Sequence, residues 1–376
     1  MEHSMDQAQQ VSLGQVYGLP GATMSPYGAV LPTLAGQAQA HDLGALAQQL
    51  HGLQAWLADD LAAVEAELLR TTGPSLAEHA GRALLQAGGK RLRPICTLLA
   101  GRIGQSDTQV VRPALRNLAI AVELVHAATL LHDDVVDGAD LRRGQPTARA
   151  LHGNEVSIFA GDWVLVAALR KIVQSGHRQL VDSALDTLQQ MVEAEVEQSQ
   201  RARVRACDVA GYYRVIEGKT ASLFRWALHA GAVAAALPDA QAQALRQFGG
   251  EVGLAFQIAD DILDLTGDVG RVGKALFADV QEGKLTLPVA FLVERKPETV
   301  ELVRAIANNI GGDAQATGNL CAMLAVDLHD SGALRAAQSM GMAHCDKALS
   351  ALQVVPACPE VAALREITDA LVRRHS

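Results

Sequence analysis

Two aspartate clusters of identical spacing constrain the fold of this chain more than any other feature of its sequence. Both read Asp-Asp-x-x-Asp within an apolar segment, and their members are Asp133, Asp134, Asp137, Asp260, Asp261 and Asp264. On a helix the first and fifth positions lie on one face, about 6 Å apart. Carboxylates in apolar surroundings are unfavourable unless cations compensate them. Because Mg²⁺ prefers oxygen ligands and shares them with phosphates, the pattern predicts two facing helices that hold Mg²⁺ and a phosphate-bearing substrate.

The rest of the chain has the pattern of helices rather than strands. Alanine and leucine dominate, and leucines recur at spacings of three and four between Leu46 and Leu68. Turn-forming pairs such as Gly73-Pro74 and Gly88-Gly89 separate segments of ordinary helix length. Short β-branched runs at regular spacing do not occur between them. The sequence therefore predicts an all-α fold, a single large helical bundle with its site between facing helices.

Composition divides the chain into two parts. Residues 1–41 are rich in Gln, Gly, Pro and Ala, with turn-formers at Pro20-Gly21 and Ser25-Pro26. We expect a disordered or loosely ordered extension there. The helical pattern begins at about Asp42, so residues 42–376 are predicted to form one domain with a large core.

Charge and cysteine usage exclude several classes of protein. The net charge of −9 argues against a nucleic-acid-binding surface. An uninterrupted apolar stretch of the roughly 20 residues needed to span a membrane is not found. The five cysteines show no CxxC spacing, which excludes a zinc ribbon and favours a reducing compartment. The first basic residue is Arg70, so a secretory or transit peptide is not expected, and we predict a cytoplasmic protein.

Pairs of cations accompany the aspartates. Arg142 and Arg143 follow the first cluster after a short loop, and Lys90 and Arg93 follow Gly88-Gly89 at the start of an apolar segment. Guanidinium groups match phosphate oxygens, and a helix N-terminus attracts phosphate. The alternative is a solvated helix end with surface ion pairs, the ordinary explanation of a charge run. The presence of several basic motifs and two aspartate clusters favours a diphosphate site.

Two further basic motifs occur in the second half of the chain. Lys219 and Thr220 follow a glycine, but Tyr213 stands where a nucleotide-binding P-loop needs its first glycine, so the spacing excludes that loop. Glycines alternate with basic residues in the segment 267–274, and Lys284 follows ten residues later. We predict a mobile loop that closes over an anionic substrate, with a flexible surface connection as the alternative.

Taken in order, these residues resemble the trans-isoprenyl diphosphate synthases, the polyprenyl synthetase family. The resemblance runs from about Leu61 to the C-terminus. It includes the segment 88–94, both aspartate clusters, Arg142-Arg143-Gly144, Gly161-Asp162, Lys219-Thr220, Phe256-Gln257 and the glycine- and lysine-rich loop. It implies an isoprenoid synthase fold, a deep central cavity and a Mg²⁺-dependent prenyltransferase. Such an enzyme joins isopentenyl diphosphate to an allylic diphosphate and makes an all-trans polyprenyl diphosphate.

The resemblance also implies roles for the matching positions. The metal ligands Asp133, Asp137 and Asp260 would hold about three Mg²⁺ ions, with Asp134, Asp261 and Asp264 in support. The allylic diphosphate would be bound by Arg142, Lys219, Lys274 and Lys284. Isopentenyl diphosphate would be bound by Lys90, Arg93, His126 and Arg143, although His126 alone would more often be a core or capping histidine. Lys219, Thr220 and Gln257 would act near the reacting carbons.

Product length has its own signal in the helix before Asp133. Short-chain members of the family carry an aromatic residue four or five positions before that aspartate, where this chain has Thr129 and Ala128. Val125 follows one turn further along the same face. The pattern resembles a medium- or long-chain synthase, with products of roughly C30 to C50 and octaprenyl diphosphate synthase as the type of enzyme. The alternative is a blocking residue on another helix.

Other interpretations stay open at this point. A geranylgeranyl- or farnesyl-type synthase and a non-catalytic regulatory subunit of a heteromeric synthase are the alternatives, but such a subunit typically lacks aspartates or the arginine pair that this chain keeps. A terpene cyclase would not need Lys90 and Arg93. The resemblance implies a homodimer, and a lipid product would permit transient membrane contact. Phe277 departs from the family pattern, which has a glycine two positions before the aspartate at 279.

Overall fold

The chain folds into helices, as the sequence predicts. The computed structural model describes residues 31–32, 35–36, 44–70, 74–105, 112–142, 144–204, 208–267, 276–308 and 313–372. Arg143 and Lys274, both predicted to bind diphosphate, lie outside the described residues, as do the predicted mobile loop from 268 to 274 and most of the extension before residue 42. Within the described residues, the β-structure is one hairpin whose two strands are two residues long each. The all-α prediction is confirmed.

The helices and strands have the following bounds in chain order. They are α1 Gly44–Trp56, α2 Ala58–Leu68, α3 Leu76–Gln86, α4 Leu92–Arg102, α5 Pro113–Val136, β1 Leu141–Arg142, β2 Gln145–Pro146, α6 Ala148–His152, α7 Asn154–Gln174, α8 Arg178–Val204, α9 Val209–Ile216, a π-helix Glu217–Ala221, α10 Ser222–Ala234, α11 Asp239–Thr266, α12 Ala278–Gln281, α13 Leu287–Arg295, α14 Thr299–Asn308, α15 Ala314–Asp330, α16 Ala333–Ala351, a 3₁₀-helix Leu352–Val354 and α17 Pro359–Val372.

The two aspartate clusters lie at the C-terminal ends of two long helices, α5 and α11. Helix α5 begins at Pro113, whose missing N–H and fixed φ suit the first helical position. It ends where Gly138 adopts a positive φ of 67° and starts the β1–β2 hairpin. This hairpin brings Arg142 back against Asp134. The end of α5 therefore positions both a carboxylate cluster and a guanidinium.

Glycines set the distance between α11 and its neighbours. A Cβ on Gly253 would lie 2.6 Å from the Cα of Ala221, and one on Gly249 would lie 2.5 Å from the carbonyl oxygen of Phe224. Neither side chain could be accommodated without a shift of backbone, so only glycine permits this approach. The close packing fixes the register between α11, which carries the second aspartate cluster, and the π-helix, which carries Lys219.

Lys219 and Thr220 lie in the π-helix between α9 and α10. A π-helix inserts a residue into the ordinary helical register and is often found at functional sites. Here it joins two α-helices without a loop, so the Lys219 and Thr220 side chains are held by regular backbone on both sides. Side chains on regular secondary structure are held more precisely than side chains on loops, which suits residues that contact a substrate.

The main core is formed by buried apolar residues of helices α1 to α5, α7, α8, α10, α11, α16 and α17. Leu31 and Ala35, which precede the predicted domain boundary, are fully buried in it. Helix α5 is long and apolar enough to cross a membrane, but 67% of its most apolar window is buried within the fold. Core helices of globular proteins meet the same criterion, so this property is weak evidence for membrane insertion.

Phe277 adopts the left-handed conformation, with φ 60° and ψ 23°. The residue precedes α12, and its backbone N–H donates to the Asp264 carbonyl oxygen at 2.9 Å. Its buried ring belongs to a second core cluster with Leu265, Val280 and Val289. Phe277, at the position where the family pattern has glycine, thus combines an unfavourable backbone conformation with a side chain that is buried in the core.

We expect Phe277→Gly to destabilise the protein by about 2–3 kcal/mol. Removing a buried phenyl ring costs about 3–5 kcal/mol, whereas relief of a left-handed residue returns about 1–2 kcal/mol. Urea unfolding followed by circular dichroism measures the difference. Phe277→Leu, which keeps most of the buried volume, should lose less. A Phe277→Gly protein more stable than wild type would show that the backbone conformation outweighs the packing.

Candidate active site

A cavity of about 970 Å³ lies between α4, α5, α8, α10 and α11. The structure brings most of the predicted site residues to its wall. Those that line it are Lys90, Arg93, His126, Ala128, Thr129, Asp133, Arg142, Lys219, Thr220, Gln257 and Asp260. Residues separated by as many as 170 positions in the chain therefore share one site, with cations and carboxylates at one end and apolar side chains at the other.

The first aspartate cluster divides into two partly exposed carboxylates and one buried one. Asp133 lies 3.6 Å from the Lys219 ammonium, and Asp137 accepts a hydrogen bond from Lys284 at 2.6 Å. The Asp134 side chain is only 1% exposed and pairs with Arg142 Nε at 2.8 Å. Burial raises the pKa of Asp134, and the arginine opposes that effect. Asp133 and Asp137 are thus the groups with room for a ligand, and Asp134 positions Arg142.

The second cluster divides into one partly exposed carboxylate, that of Asp260, and two buried ones. Asp260 is partly exposed, lines the cavity and lies 3.7 Å from Lys90. Asp261 is buried and accepts hydrogen bonds from Gln257 Nε2 at 2.9 Å and from the Leu287 N–H at 3.1 Å. Burial, with a smaller effect of Asp279, raises the pKa of Asp261 to about 8. Asp264 accepts from the Asp279 N–H at 3.3 Å and connects α11 to α12.

The donor chemistry of these aspartates fits Mg²⁺. Among the described residues, His, Cys, Asp and Glu side chains do not converge in threes into a preformed metal-binding group. Mg²⁺ requires no such group, because it keeps several waters and binds through one or two carboxylates together with substrate phosphates. Asp133 and Asp260 face a shared cavity and offer this sparse set of oxygens. The residues that would hold Mg²⁺ are therefore Asp133, Asp137 and Asp260.

Two cations of the cavity, Lys90 and Arg93, make cation–π contacts with aromatic rings, and Lys90 also pairs with a carboxylate. Lys90 lies 5.3 Å from the centre of the Phe256 ring, and Arg93 lies 4.5 Å from that of Phe224. Arg93 is partly buried; desolvation lowers the pKa of its guanidinium, and the attraction of Glu123 and Asp260 opposes that effect. A phosphate that enters the cavity would meet these partly desolvated cations, where ionic hydrogen bonds are strong.

Thr220 and Gln257 form a hydrogen-bonded pair in the wall. The Thr220 hydroxyl donates to Gln257 Oε1 at 2.8 Å, and the Gln257 amide then donates to Asp261. This chain joins the π-helix to the second aspartate cluster. It also fixes the orientation of the Gln257 amide, so its carbonyl oxygen faces Thr220.

Sequence reasoning missed the two polar residues of α8 that hold the Lys219 ammonium. Lys219 binds Glu195 Oε1 at 2.6 Å and donates to Gln198 Oε1 at 2.9 Å. Burial raises the pKa of Glu195, and the nearby Asp133 adds to the effect. The signal in the sequence was the spacing of three between Glu195 and Gln198 within an otherwise amphipathic helix, which places both on one face.

The apolar end of the cavity lies between α5, α7 and α8. Ala128 and Thr129 line it from α5, Leu165 from α7, and Leu188 and Met191 from α8. Val125, predicted one turn below Ala128, is buried but is not among the cavity-lining residues. The cavity therefore extends towards α7 and α8 rather than along the Val125 face of α5.

Comparisons with known proteins agree with this geometry. The sequence profile of the family described as polyprenyl synthetase matches residues 74–324. Heptaprenyl diphosphate synthase component 2 of Geobacillus stearothermophilus is 36% identical over 82% of this chain and 93% of its own length. Octaprenyl diphosphate synthase of Escherichia coli is 32% identical over 84% of this chain and 96% of its own length. The crystal structure of a decaprenyl diphosphate synthase from Rhodobacter capsulatus superposes with a TM-score of 0.77 at 33% identity, and the match covers 87% of this chain and 99% of that one.

Proposed function

Because this chain belongs to the polyprenyl synthetase family, we propose that it condenses isopentenyl diphosphate head-to-tail with an allylic diphosphate. The chain is a trans-prenyl diphosphate synthase, and the three relatives compared above are named for heptaprenyl, octaprenyl and decaprenyl diphosphate. The observation that carries the proposal is the cavity with Asp133 on one wall and Asp260 on another, surrounded by Lys90, Arg93 and Lys219. Such a site can hold two diphosphates and their metal ions together.

The proposed reaction begins with loss of the allylic diphosphate. The bond between C1 and the diphosphate oxygen breaks, and negative charge develops on the leaving group. The family is Mg²⁺-dependent, and Mg²⁺, in about three ions per site, would neutralise this charge when bound. Arg142 and Lys219 line the same region and would bind the leaving oxygens directly, with Lys284 and Lys274 in the proposed set.

The second substrate then attacks the allylic carbon. Lys90, Arg93, His126 and Arg143 would hold the diphosphate of isopentenyl diphosphate so that its terminal carbon faces C1. A carbon–carbon bond forms, the resulting cation loses a proton, and the departing diphosphate is the proposed acceptor of that proton. Thr220 and Gln257 lie in the wall between the two groups and would stabilise the developing positive charge through their oxygens.

Product length is proposed to be medium or long, about C30 to C50. Ala128 and Thr129 are small residues on the cavity wall, and no aromatic side chain stands at either position. The alternative is a shorter product near C20, in which the wall formed by Leu165, Leu188 and Met191 would stop the chain. The six aspartates and Arg142 argue against a non-catalytic subunit.

We propose a homodimer that forms on the outer faces of α7 and α8. Phe159, Val166 and Val173 recur at intervals of seven residues on α7, and all three are exposed. Leu185 and Val192 are exposed at the same interval on α8, and Val192 also lines the cavity. Exposed apolar residues in such a regular line are typical of helix–helix interfaces. The name of the Geobacillus relative, component 2, makes a heteromeric partner the alternative occupant of this face.

Val166→Asp combined with Leu185→Asp should convert a dimer to monomers, because two carboxylates per subunit would be buried in an apolar interface. We expect the apparent mass in sedimentation or light scattering to fall by about half. Met323→Asp with Val354→Asp, both exposed elsewhere, is the matched control and should leave the mass unchanged. A wild-type chain that is already monomeric would contradict the homodimer and favour a second protein.

The proposed location is the cytoplasm, where both diphosphate substrates would be soluble. The product is a lipid, so transient contact with a membrane would assist its release. Nucleic acid is not a proposed partner, since the net charge of −9 would repel phosphate backbones.

The direct test of this function is release of inorganic diphosphate. The purified chain should release it only when isopentenyl diphosphate, an allylic diphosphate and Mg²⁺ are all present. Omission of isopentenyl diphosphate separates a synthase from a cyclase, because a cyclase needs only the allylic substrate. Release from the allylic diphosphate alone would therefore contradict the proposal.

A further inference from the structure

Arg91 stands in an unusual conformation between two cations of the site. Its backbone is left-handed, with φ 52° and ψ 27°, and it immediately precedes α4. Residues with a Cβ rarely adopt this conformation unless the surrounding structure holds them there. Lys90 comes directly before it and Arg93 two residues after it, and both line the cavity. The strained residue is thus the one that sets the direction of the chain between them.

The Arg91 side chain is fixed by three other parts of the fold. Nε and Nη2 form a bidentate pair with Glu65 on α2 at 3.0 and 2.9 Å. Nη1 donates to Glu123 on α5 at 2.6 Å, and Nη2 also donates to the Leu85 carbonyl oxygen at 2.9 Å. The residue is 5% exposed, so these contacts are almost fully desolvated. A buried, bidentate guanidinium with its donors paired holds its position closely.

Glu123 extends this arrangement to the other side of the site. It lines the cavity, attracts the charge of Arg93, and lies on α5 three residues before His126. The contact between Arg91 and Glu123 therefore couples the loop that carries Lys90 and Arg93 to the helix that carries His126 and Asp133.

We propose that Arg91 is a positioning residue for the isopentenyl diphosphate site. By binding Glu65 and Glu123 it holds its left-handed turn, and that turn presents Lys90 and Arg93 to one diphosphate. Arg91 also lines the cavity, but its guanidinium donates to Glu65, Glu123 and the Leu85 carbonyl oxygen and is therefore not proposed to bind a diphosphate directly. The inference rests on the proposed function of the cavity and adds to it a residue that the binding set does not contain.

The planar guanidinium, which can donate several hydrogen bonds at once, is the property of Arg91 on which the proposed positioning depends. Lysine carries the same charge but has one compact ammonium, so it cannot bind both oxygens of Glu65 and reach Glu123 as well. Arg91→Lys should leave the charge balance intact and loosen the turn. Loss of alignment should weaken binding of isopentenyl diphosphate more than binding of the allylic diphosphate, since Arg142 and Lys219 are held by other contacts.

The test compares Arg91→Lys with Arg82→Lys in steady-state kinetics. Arg82 is also buried, binds Glu78 at 2.9 Å and donates to the Leu69 carbonyl oxygen, but it does not line the cavity. Both variants should lose thermal stability. Only Arg91→Lys should raise KM for isopentenyl diphosphate, by about tenfold or more, with KM for the allylic diphosphate changed less than about twofold. Glu65→Gln should produce a smaller rise of the same kind.

Two kinds of result would overturn the inference: no effect of Arg91→Lys on binding, or an effect that is not specific to isopentenyl diphosphate or to Arg91. One is a folded Arg91→Lys enzyme whose KM values both match wild type. The other is an equal rise in both KM values, or the same rise in Arg82→Lys, since each would indicate a general effect of stability. If Arg91→Lys does not fold, Glu65→Gln decides the question by the same ratio of KM values. Failure of the proposed function would be distinct, because wild type itself would then form no condensation product.

Discussion

Asp133→Asn and Asp260→Asn should each lower kcat by about three orders of magnitude or more while the helical circular dichroism stays unchanged. The amide keeps the shape of the side chain but removes the charge that attracts Mg²⁺. Metal stabilisation of a leaving group contributes several kcal/mol, and each 1.36 kcal/mol is a factor of about ten in rate. Both side chains are partly exposed, so neither substitution should disturb the core.

Two comparisons give this prediction its specificity. Asp330→Asn, on the exposed end of α15, should leave kcat unchanged. Raising the Mg²⁺ concentration should recover part of the activity of the two cavity variants, because weakened metal binding can be offset by mass action. Near-normal turnover in either cavity variant at ordinary Mg²⁺ concentration would contradict the assignment of the metal ligands.

Ala128→Phe should shorten the product. Ala128 is 1% exposed and lines the cavity together with Leu165, Leu188 and Met191. A phenyl ring would occupy part of the space into which a growing chain extends, so elongation should end several isoprene units earlier. Product analysis by mass spectrometry measures the change directly.

Val125→Phe is the matched comparison for that substitution. Val125 is buried on the same helix but does not line the cavity. An added ring there should overpack the core and cost about 1–3 kcal/mol of stability, with little change in product length. Shortening by Val125→Phe but not by Ala128→Phe would show that the chain grows along α5 and not towards α7 and α8.

The sequence alone predicted the parts of the site that depend on local spacing. The Asp-Asp-x-x-Asp pattern places its first and last carboxylates one helical turn apart, and the structure shows Asp133 and Asp137 partly exposed on that face. The pattern could not distinguish Asp134 and Asp261 from the other aspartates. Their burial depends on Arg142, Gln257 and the Leu287 N–H, which come from distant parts of the chain.

Other features depend on contacts that no local pattern contains. Glu195 on α8 joins the site because Gly218 allows the π-helix to approach Gln190 on the same helix closely. Arg91 lies in the same basic segment as Lys90 and Arg93, but its partners Glu65 and Glu123 lie 26 and 32 positions away in the chain. Helix packing determines that α7 and α8 form part of the cavity wall. The spacing of residues along α5 therefore could not show that Val125 lies outside the cavity lining.

Incubation of the purified chain, without added protein, with Mg²⁺, labelled isopentenyl diphosphate and farnesyl diphosphate tests the central claim most directly. Product lengths are read by mass spectrometry. A ladder of all-trans products that ends at about C30 or beyond is the predicted result. A product that stops at C20 would contradict the chain-length proposal, and no product with any allylic primer would contradict the claim that this chain alone is the catalyst.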